Sequence, residues 1–345
     1  MRFDGSGTER RVRLTALAAF VVLLMLAALI PTLDSSDATF TATKSNPANS
    51  FAAASSFQAQ VASGTYSGNN SDDRNITGLA FQPNLVIVKA ATSRGALMRT
   101  STMSGDVSKP LFGATALAND RIQSLLANGF QVGRNNTVNE SGVTYQWFAA
   151  ATDVDTLSVG SYTGNGAANR SITGLGHSPE AVMLLGAGAQ MPVMRMQPMS
   201  SSFRFDSGSA TTSAINSLDG NGFTVGNSAS SNTNGTVYHW IGFSERPGAL
   251  DVGSYAGNDA ASRSITGLGF QPAVAIVRSG NAATARAGIW RTGATGGTGS
   301  YQFAAAPNDT NSITGLGADG FTVGANTNAN ATGTTYSHLA LEAYP

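Results

Sequence analysis

Gly64-Thr65-Tyr66-Ser67-Gly68-Asn69 returns as Gly160-Ser161-Tyr162-Thr163-Gly164-Asn165 and again as Gly253-Ser254-Tyr255-Ala256-Gly257-Asn258. Downstream of each, Arg74-x-Ile76-Thr77-Gly78-Leu79 returns at Arg170 to Leu175 and at Arg263 to Leu268. Phe81-Gln82-Pro83 returns as His177-Ser178-Pro179 and Phe270-Gln271-Pro272. Arg74, Arg170 and Arg263 stand 96 and 93 residues apart. That period is too long for a solenoid repeat and suits a whole small domain. The chain of 345 residues therefore reads as three tandem copies, 63–151, 159–244 and 252–345. The links between them are short, so the copies are expected to pack side by side, with pseudo-threefold symmetry standing in for a trimer.

Each copy carries a β pattern. After the proline comes an apolar run: Leu85-Val86-Ile87-Val88, Ala181-Val182-Met183-Leu184-Leu185, or Val274-Ala275-Ile276-Val277. Such runs predict a strand covered on both faces. Leu97-Met98-Arg99, Val193-Met194-Arg195 and Ile289-Trp290-Arg291 follow as a second strand. Asn128-Gly129-Phe130, Asn221-Gly222-Phe223 and Asp319-Gly320-Phe321 predict tight hairpins, because glycine there supplies a positive φ. The pairs Ile122/Leu125, Ile215/Leu218 and Ile313/Leu316 ahead of them are spaced by three. That spacing admits either a strand or one helical turn capped by the glycine.

The last segment of each copy is Thr144-Tyr145-Gln146-Trp147-Phe148-Ala149, Val237-Tyr238-His239-Trp240-Ile241-Gly242 or Thr335-Tyr336-Ser337-His338-Leu339-Ala340. As a strand it puts Tyr and Trp on one side and Phe, Ile or Leu on the other. One side closes the copy; the other is expected to cover a neighbour or a ligand.

Composition supports an all-β reading. Glycine numbers 40 and charged residues make up 12%, half the usual share, which favours turn-rich sheet over helix. Net charge is zero, so no basic field draws in nucleic acid. The absence of cysteine excludes disulfides and thiolate chemistry, and three histidines are too few for a His-rich metal site in each copy.

Ahead of the repeats, a basic flank (1–13, with Arg10, Arg11 and Arg13) precedes the uncharged apolar run Leu14–Ile30 and Pro31. This pattern predicts a signal or transmembrane helix over 14–33 and an extracytoplasmic location, secreted or membrane-anchored. Residues 34–62 read as a flexible lead-in. Within it, Ala38-Thr39-Phe40-Thr41-Ala42-Thr43 and Ser45-Asn46-Pro47-Ala48-Asn49-Ser50-Phe51 resemble the start of SipW-dependent exported proteins of the TasA/camelysin group. There, Ala42 replaces the usual Asp. The resemblance implies export.

The order Leu-Gly-Phe-Gln-Pro, apolar strand, Gly-Phe-x-Val-Gly, Tyr-x-Trp-x-Ala resembles repeats of phage and archaeal-virus tail-fibre-like proteins and bacterial surface proteins. More distantly it is similar to the H-type lectin domain. That likeness implies three antiparallel β-sandwich domains and, in the lectins, a sugar site lined by aromatic and His side chains of the last strand. Tyr238, His239 and Trp240 match that description; Tyr145 and Trp147 match it with Gln146 between them; Tyr336 and His338 depart from it, since the Trp is missing.

The recurring arginines invite an anion or sugar-hydroxyl role. For Arg74, Arg170, Arg263, Arg99, Arg195 and Arg291 alike, the turn and strand setting favours tying the fold together. His177, His239 and His338 are not set in catalytic or metal-binding patterns. Asp72-Asp73 and Asp153 with Asp155 read as solvated loop acids rather than Ca²⁺ ligands, and Asn75-Ile76-Thr77 is a glycosylation sequon that matters only in a host that uses it. No Gly-x-Ser-x-Gly elbow comes with His and acid partners, and no glycine-rich turn leads into Gly-Lys-Ser/Thr. The expectation is a non-enzymatic surface protein without cofactor. It binds or adheres, with a glycan or surface polymer as the first candidate ligand, or it is a structural or fibre protein that self-associates.

Overall fold

The computed structural model describes residues 60–280 and 286–343. The predicted export segment (Leu14–Ile30 and the stretch from Ala38 to Phe51) lies outside them. Among the described residues no helix is long and apolar enough to cross a membrane.

The fold is all-β, antiparallel and β-sandwich-like, and each copy supplies two sheets. In the first copy, β1 (Val61–Ser67), β8 (Thr144–Ala150), β3 (Leu85–Ala90), β4 (Leu97–Thr100) and β5 (Lys109–Pro110) lie in that order. β2 (Arg74–Thr77), β7 (Gly129–Val132) and β6 (Ile122–Leu126) form the smaller sheet. The second copy repeats the plan. Its larger sheet runs β14 (Ala210–Thr211), β13 (Ser202–Arg204), β12 (Val193–Met196), β11 (Ala181–Gly186), β17 (Val237–Phe243), β9 (Leu157–Thr163). Its smaller one runs β10 (Arg170–Thr173), β16 (Gly222–Val225), β15 (Ile215–Asp219). In the third copy the larger sheet is β18 (Leu250–Ala256), β26 (Thr335–Glu342), β20 (Pro272–Ser279), β21 (Ile289–Thr292), β22 (Gly299–Gln302), β23 (Asp309–Thr310). Its smaller sheet is β19 (Arg263–Thr266), β25 (Gly320–Val323), β24 (Ile313–Gly317). The first strand of each copy opens at Val61, Leu157 or Leu250, two residues ahead of the expected edges, because it pairs along the whole last strand, as in Val61↔Ala150.

Alternation along the central strands sorts their side chains into two cores. Val86 and Val88 join Ile76, Ile122, Phe130 and Trp147 in a cluster that ties the two sheets of the first copy together. Equivalent clusters lie inside the second and third copies. The alternate residues Leu85 and Ile87 meet Met183, Leu185, Ile276 and Trp290 in one apolar cluster shared by all three copies. The three larger sheets therefore turn one face inward to a common core. Fully burying each such side chain stabilises by about 1.5–3 kcal/mol, so the shared core is a large part of what holds the copies together.

The spacing of three in Ile122/Leu125 and its equivalents belongs to a strand, not a helical turn. A β-bulge in each hairpin, between Ile122 and Ser124, Ile215 and Ser217, or Ile313 and Gly315, shifts the register by one. The extra residue returns both apolar side chains to the same face. The hairpin turns also sit one residue earlier than Asn-Gly predicts. Leu126 pairs with Gly129, so Ala127 and Asn128 are the turn, and neither has a positive φ. Gly129 is there for space, since a Cβ would lie 2.0 Å from the Ile76 carbonyl oxygen; its equivalents Gly222 and Gly320 are as closely approached and do carry a positive φ, 154° and 139°.

Candidate functional site

The last strands, where a sugar site was expected, are interior. Tyr145 and Tyr238 are fully buried, and Trp147 and Trp240 are 8% and 7% exposed. The antiparallel register sets Gly64 opposite Trp147, Gly160 opposite Trp240 and Gly253 opposite His338. Each ring lies over its glycine: a Cβ on Gly64, Gly160 or Gly253 would come within 2.6, 2.1 or 2.6 Å of a ring atom. The other side of each Trp is closed by Phe130 or Phe223, edge to face, and His338 meets Phe321 in the same way. No indole face is left open for a sugar ring. His338 is thus the third member of the Trp position rather than a departure toward a ligand; its Nε2 lies 3.3 Å from Asp251 Oδ2.

The tyrosines have a different task. Tyr145 Oη donates to Asn136 O (2.7 Å) and accepts from Glu140 N (2.8 Å), which closes the short helical turn α1 (Asn136–Asn139). Tyr336 does the same for α2 (Thr327–Asn330), donating to Thr327 O, and Tyr238 does so for an equivalent loop through Ala229 O. Each stacks on the tyrosine of the opening motif: Tyr66 on Tyr145 at 5.1 Å, Tyr162 on Tyr238 at 5.4 Å, Tyr255 on Tyr336 at 5.4 Å. Arg74, Arg170 and Arg263 cover the outer ring at 5.3, 5.0 and 5.3 Å and donate to the carbonyls of Ser67, Thr163 and Ala256. These arginines tie strand, turn and ring stack together, each ring contact contributing about 0.5–1 kcal/mol.

Arg99 and Arg291 sit in cages of carbonyls. Arg99 donates to Met103 O (3.1 Å), Gly105 O (2.7 Å), Ile122 O (3.4 Å) and Val107 O. Arg291 donates to Thr295 O (3.0 Å), Gly297 O (2.7 Å), Ile313 O (3.4 Å) and Gly299 O. Arg195 has only Ile215 O (2.9 Å) and Asn216 O (2.5 Å). Burial lowers the pKa of all three from its ordinary value. Of the remaining candidates, His177 Nε2 bonds Ser158 Oγ at 2.9 Å, and Asp153 accepts from the backbone N–H groups of Asp155 and Thr156, a turn role.

Of the residues that link the copies, the three buried cations were not singled out by the sequence patterns. Lys89 of the first copy is fully buried and donates to Ala90 O (2.9 Å), Thr92 O (2.7 Å) and, in the third copy, Ala306 O (3.2 Å). Arg278, at the same strand position of the third copy, donates to Arg204 O (3.0 Å) and Gly208 O (3.0 Å) of the second and lies 5.1 Å over the Phe203 ring. Lys109 of the first copy donates to Gly188 O and Gln190 O of the second, both at 2.9 Å. Burial pulls Lys89 and Lys109 down to about 8 and Arg278 to about 10, so each is still mainly charged at neutral pH. The non-core positions of the last strands join these seams. Gln146 donates to Thr292 Oγ1 of the third copy, and His239 Nδ1 lies 2.8 Å from Thr102 Oγ1 of the first. A signal was present: one cation closes an otherwise apolar run at matching positions, Val88-Lys89 and Val277-Arg278.

No curated protein and no solved structure matches this chain. Residues 53–341, the three-copy region with the end of its lead-in, match one family, and the chain belongs to it: the family described as Domain of unknown function (DUF7483).

Proposed function

We propose that this protein is a non-enzymatic, extracytoplasmic structural protein of a cell or virion-like surface, in which three tail-fibre-like or H-type-lectin-like β-sandwich domains in one chain take the place of a trimer. One observation carries the reading. The Tyr/Trp side of each last strand is spent on that copy's own core, and the other side joins the shared core or the seams. The strand that serves as a sugar platform in the lectin likeness is here an assembly element. Adhesion through Tyr238, His239 and Trp240, or through Tyr145 and Trp147, has no accessible ring to work with. Export rests on the basic flank and the apolar run Leu14–Ile30.

A glycan array on the full chain, with Trp240→Ala and His239→Ala beside it, tests this. The expected result is no array signal from the wild type that depends on either residue, and loss of about 3–5 kcal/mol of stability on Trp240→Ala. Glycan binding that Trp240→Ala abolishes while circular dichroism stays native would overturn it. Cell fractionation with N-terminal sequencing tests location; full-length protein in the soluble cytosolic fraction would rule out export.

A further inference from the structure

The three strand arginines are equivalent, yet one has lost half its cage. The loop that wraps Arg99 runs to Ser108, whose Oγ accepts from Ile122 N (3.3 Å). The loop that wraps Arg291 runs to Ser300, whose Oγ accepts from Ile313 N (3.3 Å). In the second copy the matching serine is Ser202, whose Oγ accepts from Ile215 N (2.8 Å). From Arg99 to Ser108 and from Arg291 to Ser300 there are nine steps along the chain; from Arg195 to Ser202 there are seven. The missing pair is the glycine turn that presents Gly105 O and Gly297 O to the other two guanidiniums.

Its loss leaves a pocket of about 220 Å³ lined by Arg195, Ser200, Ser201, Thr211, Thr212, Ser213, Ile215 and Asn216. Arg195 Nη1 is held by the Ile215 and Asn216 carbonyls, whereas its Nη2 and Nε have no hydrogen-bond partner among the described residues. The hydroxyls of Ser200, Ser201, Thr211, Thr212 and Ser213 likewise have none there. Asp219 is the acid whose charge reaches Arg195; its Oδ2 accepts from Thr224 Oγ1 at 2.8 Å, and no hydrogen bond joins it to the guanidinium. Asn216 donates its amide to Asn169 Oδ1 at 2.8 Å, which fixes the pocket wall.

We propose that this pocket of the second copy binds a single oxyanion group, a sulfate, phosphate or carboxylate, free or carried on an acidic saccharide. A guanidinium fixed on one edge and open on the other presents a planar pair of N–H donors to such a group. The surrounding hydroxyls supply further donors without adding charge. In the first and third copies two loop carbonyls already occupy the Nη2 of that edge, Met103 O and Gly105 O or Thr295 O and Gly297 O, so only the second copy carries the site. The inference is independent of how the last strands are used.

Calorimetric titration of the full-length chain with sodium sulfate, sodium phosphate and sodium glucuronate, against sodium chloride at matched ionic strength, tests it. The expected result is one saturable site per chain for at least one of the three. Arg195→Gln should weaken it by about tenfold or more, the loss of a charge-assisted pair. Inserting Gly-Asp between Ser200 and Ser201 restores the loop length of the first copy. It should abolish binding with Arg195 still in place, and it decides the matter if Arg195→Gln does not fold. Tighter binding of glucuronate identifies an acidic sugar as the source, and tighter sulfate or phosphate the inorganic ion. No saturation with any of the three, or unchanged affinity in either variant, overturns the proposal.

Discussion

Two of the three seams between copies are built alike, and the third is built in reverse. Where the first copy meets the third, Lys89 crosses to Ala306 O, and Ala96 N donates to Phe303 O at 3.0 Å. Where the third meets the second, Arg278 crosses to Gly208 O, and Gly288 N donates to Phe205 O, again at 3.0 Å. Where the second meets the first, the cation position is Leu185 and the amide position is Pro192, which has no N–H to give. The cation there comes from the other side. Lys109 stands where Phe203 and Tyr301 stand in the other copies, opposite Met98 as they are opposite Met194 and Trp290. It reaches back to Gly188 O and Gln190 O, and Leu117 N donates to Ala187 O at 2.9 Å. What the seams share is the need to satisfy buried carbonyls with a cation; which copy supplies it is free to change.

The largest effect should come from removing one of these cations outright. Arg278→Ala leaves the Arg204, Asp206 and Gly208 carbonyls without their donor and opens a void over Phe203. The expected loss is about 3–5 kcal/mol by chemical denaturation, since breaking a buried charged contact strands its partners. Arg278→Lys should cost less, because Lys89 already serves the equivalent seam. A loss below about 1 kcal/mol for the alanine variant would mean that the shared apolar core alone holds the copies.

Swapping the direction of the odd seam sharpens the comparison. Lys109→Tyr supplies the ring found in the third copy, and Leu185→Lys the cation found in the first. Each alone should destabilise, the second because it sets an ammonium in place of Leu185, which is fully buried in the shared apolar core. Together they rebuild the usual seam, and a double-mutant cycle should recover about 1–3 kcal/mol relative to the sum of the singles. Strict additivity would show that the two positions do not exchange roles.

The odd seam also carries a histidine where the first copy has Gln146. His239 is 5% exposed, and burial, reinforced by the charge of Lys109, lowers its pKa to about 4. Its folded value thus lies below the ordinary 6.5. Between those two values the unfolded chain holds the extra proton, so stability is full above pH 6.5 and falls as pH drops toward 4. The loss across that window should reach about 3 kcal/mol at most. His239→Gln should flatten it; an unchanged pH profile in that variant would assign the acid sensitivity to other groups.

Much of the fold was legible in the sequence. The three copies, the doubly covered central strand and the two-sided last strand follow from motif recurrence and alternation. The burial of the Trp face was not legible, because it rests on the register that sets Gly64 opposite Trp147, where a glycine leaves room for the ring to lie flat on the sheet, and the motifs alone do not give that register. The bulges were half visible as a spacing of three that a regular strand cannot place on one face. The seams were marked only by the cation that closes two of the apolar runs, which by itself does not name its partner. A lysine at the end of an apolar strand suits solvent as well as a neighbour, and the Lys89–Ala306 contact spans 217 residues of chain. Nor does a loop shorter by two residues announce that it uncovers Arg195, because its effect is the removal of backbone carbonyls that have no sequence signature.

The smallest effect on stability should come from Pro192→Ala. At the two regular seams the equivalent residues are Ala96 and Gly288, whose amides donate across to Phe303 O and Phe205 O. The equivalent acceptor at the odd seam is Leu111 O, and alanine would give position 192 the missing donor. A new hydrogen bond contributes about 1 kcal/mol, and trimming the buried proline ring removes a similar amount, so the net change should be within about 1 kcal/mol. The informative measurement is therefore hydrogen exchange at residue 192. If the reversed cation is the only departure of this seam, the new amide should be protected to the same degree as those of residues 96 and 288. Rapid exchange there would mean that Lys109 has shifted the strands apart, and that reversing the cation changed the backbone spacing of the seam as well as the side that supplies the charge.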